Sequence, residues 1–232
     1  MEELRRFLRR IKDGRPGTKW TLLRYYPRWK RSRRPGAASL DQRLPWLTFP
    51  AIDFLERAAR PTHRVFEYGG GGSTLFWADR VAEVVTVEHS AEWFAALQLA
   101  MAKGARAKWT GIHHAAEPAS DTALDPSDPA HFASSDDASR GMHYRRYVEA
   151  ILAYPDEYFD IIVIDGRART SCLAVSVPKL KPGGLLVLDN AERAHYTSRN
   201  AAALRTLDAV VRGLAPVASG DFSETRIYRK RA

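Results

Sequence analysis

The chain has 232 residues, 45% of them hydrophobic, and a mean hydropathy of −0.37. That length and balance fit one sizeable core with an appendage, and no apolar run approaches the ~18–20 residues of a spanning helix. The N-terminus lacks a signal peptide's apolar segment, so a cytoplasmic location is expected. A single cysteine, Cys172, excludes an internal disulfide and a multi-cysteine metal centre. The net charge of +9 is uneven: residues 1–35 hold thirteen Lys and Arg against Glu2, Glu3 and Asp13, a surplus of ten, which leaves −1 for the remainder. A nearly neutral body argues against nucleic acid bound across the whole chain.

Residues 1–38 read as a basic, aromatic extension and 39–232 as the main domain. Leu4, Phe7, Leu8 and Ile11 fall on one face of a predicted helix with arginines around the rest. Gly14 to Gly17 should end it. Trp20, Tyr25, Tyr26 and Trp29 follow among basic residues, and Arg33 to Ala38 resembles a linker. Such a segment suits an anionic membrane surface, with Trp20, Trp29, Phe7 and Leu8 inserting and arginines at the headgroups. It also suits an acidic substrate or nucleic acid, or packing on its own domain.

Further on, Pro45 to Arg60 reads as a helix and Arg64 to Tyr68 as a strand. Four glycines, Gly69 to Gly72, lead through Ser73 into a predicted helix ending at Arg80. A second apolar run, Val84 to Glu88, ends in an acid. Helix Ala91 to Lys103 and strand Ala107 to His113 come next. The polar stretch from Ala115 to Gly141 exceeds an ordinary connection and reads as a lid or a disordered segment. Helix His143 to Ala153, strand Phe159 to Asp165 and helix Ser171 to Leu180 follow. Lys181-Pro182-Gly183-Gly184 reads as a turn into strand Leu185 to Leu188. A helix over Thr197 to Gly213 and a hairpin near Val217–Phe222 and Thr225–Arg229 are expected to finish the chain. The implied class is α/β, a Rossmann-like, doubly wound, mostly parallel seven-stranded sheet with an antiparallel C-terminal hairpin.

A strand, glycine turn, helix and acid-tipped strand make the first half of a nucleotide site. Glu67 sits just before the glycines, where a pyrophosphate would be repelled, and Thr74 occupies the place of a third glycine. A cationic ligand fits better. Glu67-Tyr68-Gly69-Gly70-Gly71-Gly72-Ser73 and Glu88 resemble the first motif and the ribose-binding acid of class I S-adenosylmethionine (SAM)-dependent methyltransferases. The resemblance spans about Trp46 to Lys230. It implies SAM contacts from Glu67, Gly69, Gly71, Ser73, Glu88, His89, Glu117 and Asp165.

Acids also end two further strands, at Asp165 and Asp189-Asn190. The Leu-Lys-Pro-Gly-Gly-x-Leu-x-x-Asp-Asn stretch resembles catechol-type and sugar O-methyltransferases, which implies Mg²⁺ held by Asp165, Asp189 and Asn190 and catalytic roles for both aspartates. A departure stands at Ala168, where those enzymes carry a lysine base. His195, His143 and Tyr147 are candidate bases. Arg167 and Arg169 suit an anionic or sugar acceptor, with His143 and Tyr147 near it, because a guanidinium stays protonated.

The resulting expectation is an O-methyltransferase acting on a carbohydrate or lipid-linked glycan, cytoplasmic and peripheral to the membrane. Two other readings stand beside it: a nucleic-acid methyltransferase, and a non-catalytic cofactor-binding scaffold docked by its tail. The chain lacks the Asn/Asp-Pro-Pro-Tyr/Phe signature of amino-methylating nucleic-acid enzymes, so nucleic acid is the less favoured partner.

Overall fold

A computed structural model describes residues 2–12, 20–33, 39–104, 107–120, 124–218 and 220–232. The predicted helix end at Gly14–Gly17 and most of the predicted linker lie outside the described residues.

Seven strands form one sheet: β1 (Arg64–Tyr68), β2 (Glu83–Glu88), β3 (Lys108–His113), β4 (Phe159–Ile164), β5 (Leu180–Leu188), β6 (Leu207–Val211) and β7 (Arg226–Lys230). Their order is β3-β2-β1-β4-β5-β7-β6, with β7 antiparallel to both its neighbours. Side chains alternate across a strand, so each apolar run supplies two cores. Val65, Val84, Ile161, Val163, Leu185 and Val187 face one layer. Phe66, Tyr68, Val85, Ile162, Ile164 and Leu186 face the other. Helices Phe49–Ala58, Gly72–Ala78 and Ala91–Ala102 cover the first face, and Arg145–Glu149 and Arg169–Lys179 the second.

The N-terminal helix Glu2–Lys12 turns Phe7 and Ile11 into the first core, while Leu4 and Leu8 stay partly exposed. Phe7 packs on Tyr26, Trp29 and Phe222 at ring distances of 5.1–5.2 Å. The Trp29 indole donates to the Gly220 carbonyl at 3.0 Å, and Arg6 and Arg10 both pair with Asp221. The expectation that Phe7 and Trp29 insert into a membrane is therefore corrected: both are fully buried in the protein's own core. The side chain of Trp20 lies outside the described residues.

Three other expectations change. The helix predicted over Thr197–Gly213 is only Ala201–Leu204; Leu207–Val211 instead pairs with β7 as an edge strand. Cross-strand pairing overrides the local helical pattern of this alanine-rich stretch. The predicted closing hairpin is split. Ala215–Pro216 pairs with Phe222–Ser223, whereas β7 inserts between β5 and β6. Lys181 to Gly184 is part of β5 and meets β4 with a register irregularity.

The described parts of the polar stretch from Ala115 are tied down beside the sheet. Asp136 pairs with Arg167 at 2.7 Å, and the Thr170 hydroxyl donates to the Pro126 carbonyl at 2.7 Å. Arg199 pairs with Asp125 and Asp128.

Candidate active site

The carboxyl ends of β1, β2, β4 and β5 open into one cleft of about 770 Å³, the place where open parallel sheets bind ligands. Its floor is the glycine turn. Gly69 has φ +87°, and a Cβ there would come 2.9 Å from the Gly166 backbone. Only glycine fits this left-handed, close-packed position. At Gly70 an added Cβ would meet Leu97 and Thr86 side chains at 2.6 and 2.8 Å. The Gly71 N–H donates to the Thr74 hydroxyl, which itself donates to Glu67. Thr74, standing where a dinucleotide site has its third glycine, thus braces the turn.

Glu67 lies beneath the turn and does not line the cleft. Burial raises its pKa to about 7, although Ser73, Thr74 and Thr86 hydroxyls counteract part of that rise. One carboxylate oxygen, Oε1, has no hydrogen-bond partner among the described residues. Glu67 acts on the cleft through the turn it supports.

Glu88 stands at the cleft wall. It accepts N–H bonds from Gly70 at 3.0 Å, and from His89 and Ser90 at 2.8 Å each. Burial alone would raise its pKa; His89 and the backbone donors outweigh it and hold the carboxylate below its ordinary value. Arg167 donates to His89 Nε2 at 3.2 Å, and His89 Nδ1 lies 2.8 Å from Glu88. Arg167 also holds Asp136, linking the Ala115–Gly141 stretch to the cleft.

At the opposite wall Arg169 lies among three acceptors and the second acid. It donates to Asp165 at 3.0 Å, to the Gly166 carbonyl at 3.0 Å and to the Asp189 carbonyl at 2.6 Å, with the Asp189 carboxylate 3.5 Å away. Burial, then the negative charge of Asp189, pushes Asp165 well above the usual carboxylate range. Asp189 is raised by burial too, against the pull of Arg169. Thr225 donates to Asp189 at 2.7 Å.

This arrangement corrects the metal expectation. The guanidinium of Arg169 provides the positive charge between Asp165 and Asp189, and the Asn190 amide is turned to the Ser223 hydroxyl at 2.8 Å. Among the described residues no group of three or more His, Cys, Asp or Glu side chains converges to hold a metal. The donors present do not fit a Mg²⁺ site.

Of the other predicted residues, Gly69, Gly71, Ser73, His89, Arg167 and Arg169 line the cleft with Glu88, Asp165, Asp189 and Asn190. Glu117, His143, Tyr147 and His195 do not. Glu117 and His143 face each other across a two-residue ladder, 3.9 Å apart. Tyr147 is fully buried under Gly166. His195 is half-buried against Tyr196, its pKa lowered by burial and then by Arg193. Sequence reasoning missed Trp46, Ser90 and Trp93, all cleft residues. Ser90 had a legible signal, since it caps the helix after Glu88 by accepting the Trp93 N–H. Trp46 and the residues near Val217 reach the cleft from distant segments and had none.

No family model matches the chain, and no curated protein matches it in sequence. Solved structures do. A methyltransferase-like protein from Silicibacter pomeroyi DSS-3 is 20% identical, with 82% of this chain and 91% of that chain covered and a TM-score of 0.51. The N-methyltransferase NodS from Bradyrhizobium japonicum WM9 is 13% identical over 90% and 99% of the two chains, TM-score 0.46. A SAM-dependent methyltransferase from Methanosarcina mazei is 12% identical over 77% and 97%, TM-score 0.45. The chain has the seven-stranded, Rossmann-like fold of the Silicibacter methyltransferase-like protein.

Proposed function

We propose that the protein is a SAM-dependent methyltransferase acting on a hydroxyl of a carbohydrate or lipid-linked glycan. The observation that carries the cofactor is Glu88, held ionised at the cleft wall by Gly70, His89 and Ser90 beside a glycine turn with no room for a side chain at Gly69 or Gly70. A carboxylate so placed accepts from paired ribose hydroxyls. The Glu67 carboxyl beneath the turn, ionised above about pH 7, favours a cation over a phosphate. When bound, SAM supplies an electrophilic methyl group on a positively charged sulfur.

The residues of the second wall handle the acceptor. Asp165, its basicity raised by burial and by Asp189, takes the proton of the acceptor hydroxyl. Arg169 fixes its orientation, and Asp189 and Asn190 extend the polar wall. Trp46, 47% exposed at the same cleft, offers an aromatic face. An aromatic face beside carboxylates and an amide suits a sugar ring, whose C–H face is apolar and whose rim is hydroxyl. The test is calorimetry with S-adenosylhomocysteine, with micromolar binding expected, and transfer of labelled methyl into fractionated extract. Saturable NAD binding with no response to S-adenosylhomocysteine would overturn the reading.

We further propose that the enzyme works at an anionic membrane. Support comes from the outward side of helix Glu2–Lys12, where Leu4 and Leu8 stand 39% and 38% exposed beside exposed Arg5 and Arg9. Each basic residue near such a surface contributes about 1 kcal/mol, screened by salt. Co-sedimentation should require anionic lipid and weaken with salt; equal sedimentation of the Arg5→Glu/Arg9→Glu variant would sink it.

A further inference from the structure

A second cavity, of about 970 Å³, adjoins the first. The backbone bridge between Thr48 and Val217 separates them, Thr48 lining the second and Val217 the first. Three parts of the chain enclose it: the basic extension near Leu22 and Arg24, the connection following β5 near Glu192, and edge strand β6 with the turn to Ala215. None of the predicted site residues lines it.

Its chemistry is two-sided. Leu22, Pro50, Val211 and Leu214 give it apolar surface, and Leu214 is 47% exposed. The acids of its wall are already supplied with donors. Glu224 accepts from Arg226 at 2.8 Å and from the Gly213 N–H at 3.1 Å. Glu192 accepts from the Ser223 hydroxyl and from the Glu224 N–H at 2.9 Å. The basic groups are not all matched. Arg24 donates to the Tyr25 hydroxyl at 2.6 Å, which in turn donates to Asp53, and no carboxylate of the described residues lies within ion-pair distance of Arg24 itself. Arg212 is exposed and has no hydrogen-bond or ion-pair partner among them. A guanidinium carries five N–H donors in a fork that matches phosphate oxygens. The unmet demand of this cavity is for an anion joined to apolar surface.

We propose that the cavity binds an amphiphilic phosphate: a phosphate ester head at Arg24 and Arg212, with its apolar chain along Leu22, Pro50, Val211 and Leu214. The binding stands on the cavity alone; that the amphiphile is the lipid carrier of a glycan acceptor rests on the methyltransferase reading. It also gives the basic extension a role, since that extension forms one wall.

The test is titration of the full chain with n-decyl phosphate below its micellar range, beside n-decyl maltoside and inorganic phosphate. Decyl phosphate should bind one to one, at least tenfold more tightly than either control. Arg24→Ala/Arg212→Ala and Leu214→Asp should each weaken it at least tenfold, with S-adenosylhomocysteine affinity unchanged. Arg212→Ala alone, at an exposed residue without partners among the described residues, guards against misfolding and should weaken binding at least threefold. Equal binding of decyl phosphate and decyl maltoside, or indifference to Arg212→Ala, overturns the proposal. So does a dimer whose dissociation alone opens the site. Failure of wild-type protein to bind S-adenosylhomocysteine would instead remove the methyltransferase reading and leave this one standing.

Discussion

Arg169 donates to the Asp165 carboxylate at 3.0 Å and neutralises it from within the protein. The same guanidinium reaches the Asp189 and Gly166 carbonyls, so it fixes the ends of β4 and β5 relative to each other. Arg169→Ala leaves the buried Asp189 and the half-buried Asp165 facing one another without a counter-charge, a loss of about 3 kcal/mol. For a chain of this size that is a fall in melting temperature of roughly 6–12 °C. Arg169→Lys should recover part of it, because a lysine replaces the charge and not the fork. Calorimetric melts check both.

Methyl transfer should be indifferent to EDTA. The acids that would hold a metal are committed to Arg169 and Thr225, and the Asn190 amide to Ser223. A chelator-sensitive rate restored by Mg²⁺ would refute this.

Activity should rise with pH as Asp165 loses its proton. Its pKa stands well above the ordinary value through burial and the Asp189 charge, so acid deprives the site of its base first. Asp165→Asn should lower kcat by about 10²–10⁴-fold and leave S-adenosylhomocysteine affinity within a few-fold. The pH–rate profile and calorimetry read the two separately.

Glu67 makes stability fall between pH 4.5 and 7. Its folded pKa of about 7 lies above the unfolded value of 4.5, so the native state holds the extra proton. Stability is highest below the unfolded value and is lost as pH rises through the folded one. The full loss is about 3 kcal/mol. Glu67→Gln mimics the protonated form and should flatten this slope in urea unfolding at pH 5 and pH 8. An unchanged slope would mean Glu67 stays ionised throughout.

Phe7→Ala should destabilise the whole domain. The ring is fully buried against Trp29, Tyr26 and Phe222, and such truncations cost about 3–5 kcal/mol. Deleting residues 1–35 should therefore lower the melting temperature, by roughly 10 °C. An unchanged melt would show that the extension contributes nothing to the core.

Strand β1, the glycine turn, the following helix and β2 were legible in the residue pattern, because these features are local. Apolar runs specify strands buried on both faces, glycines permit the positive φ at Gly69, and a terminal acid such as Glu88 needs only neighbouring N–H groups to stay charged. The four acids at strand ends were legible for the same reason. Tertiary structure decided the rest. Leu207–Val211 became an edge strand because β7 pairs with it, and Arg6 reached Asp221 across 215 positions of sequence. Whether Asp165 and Asp189 hold a metal or an arginine depended on where Arg169 points. Periodicity encodes which face of an element is buried; which distant side chain meets it is set only when the layers pack.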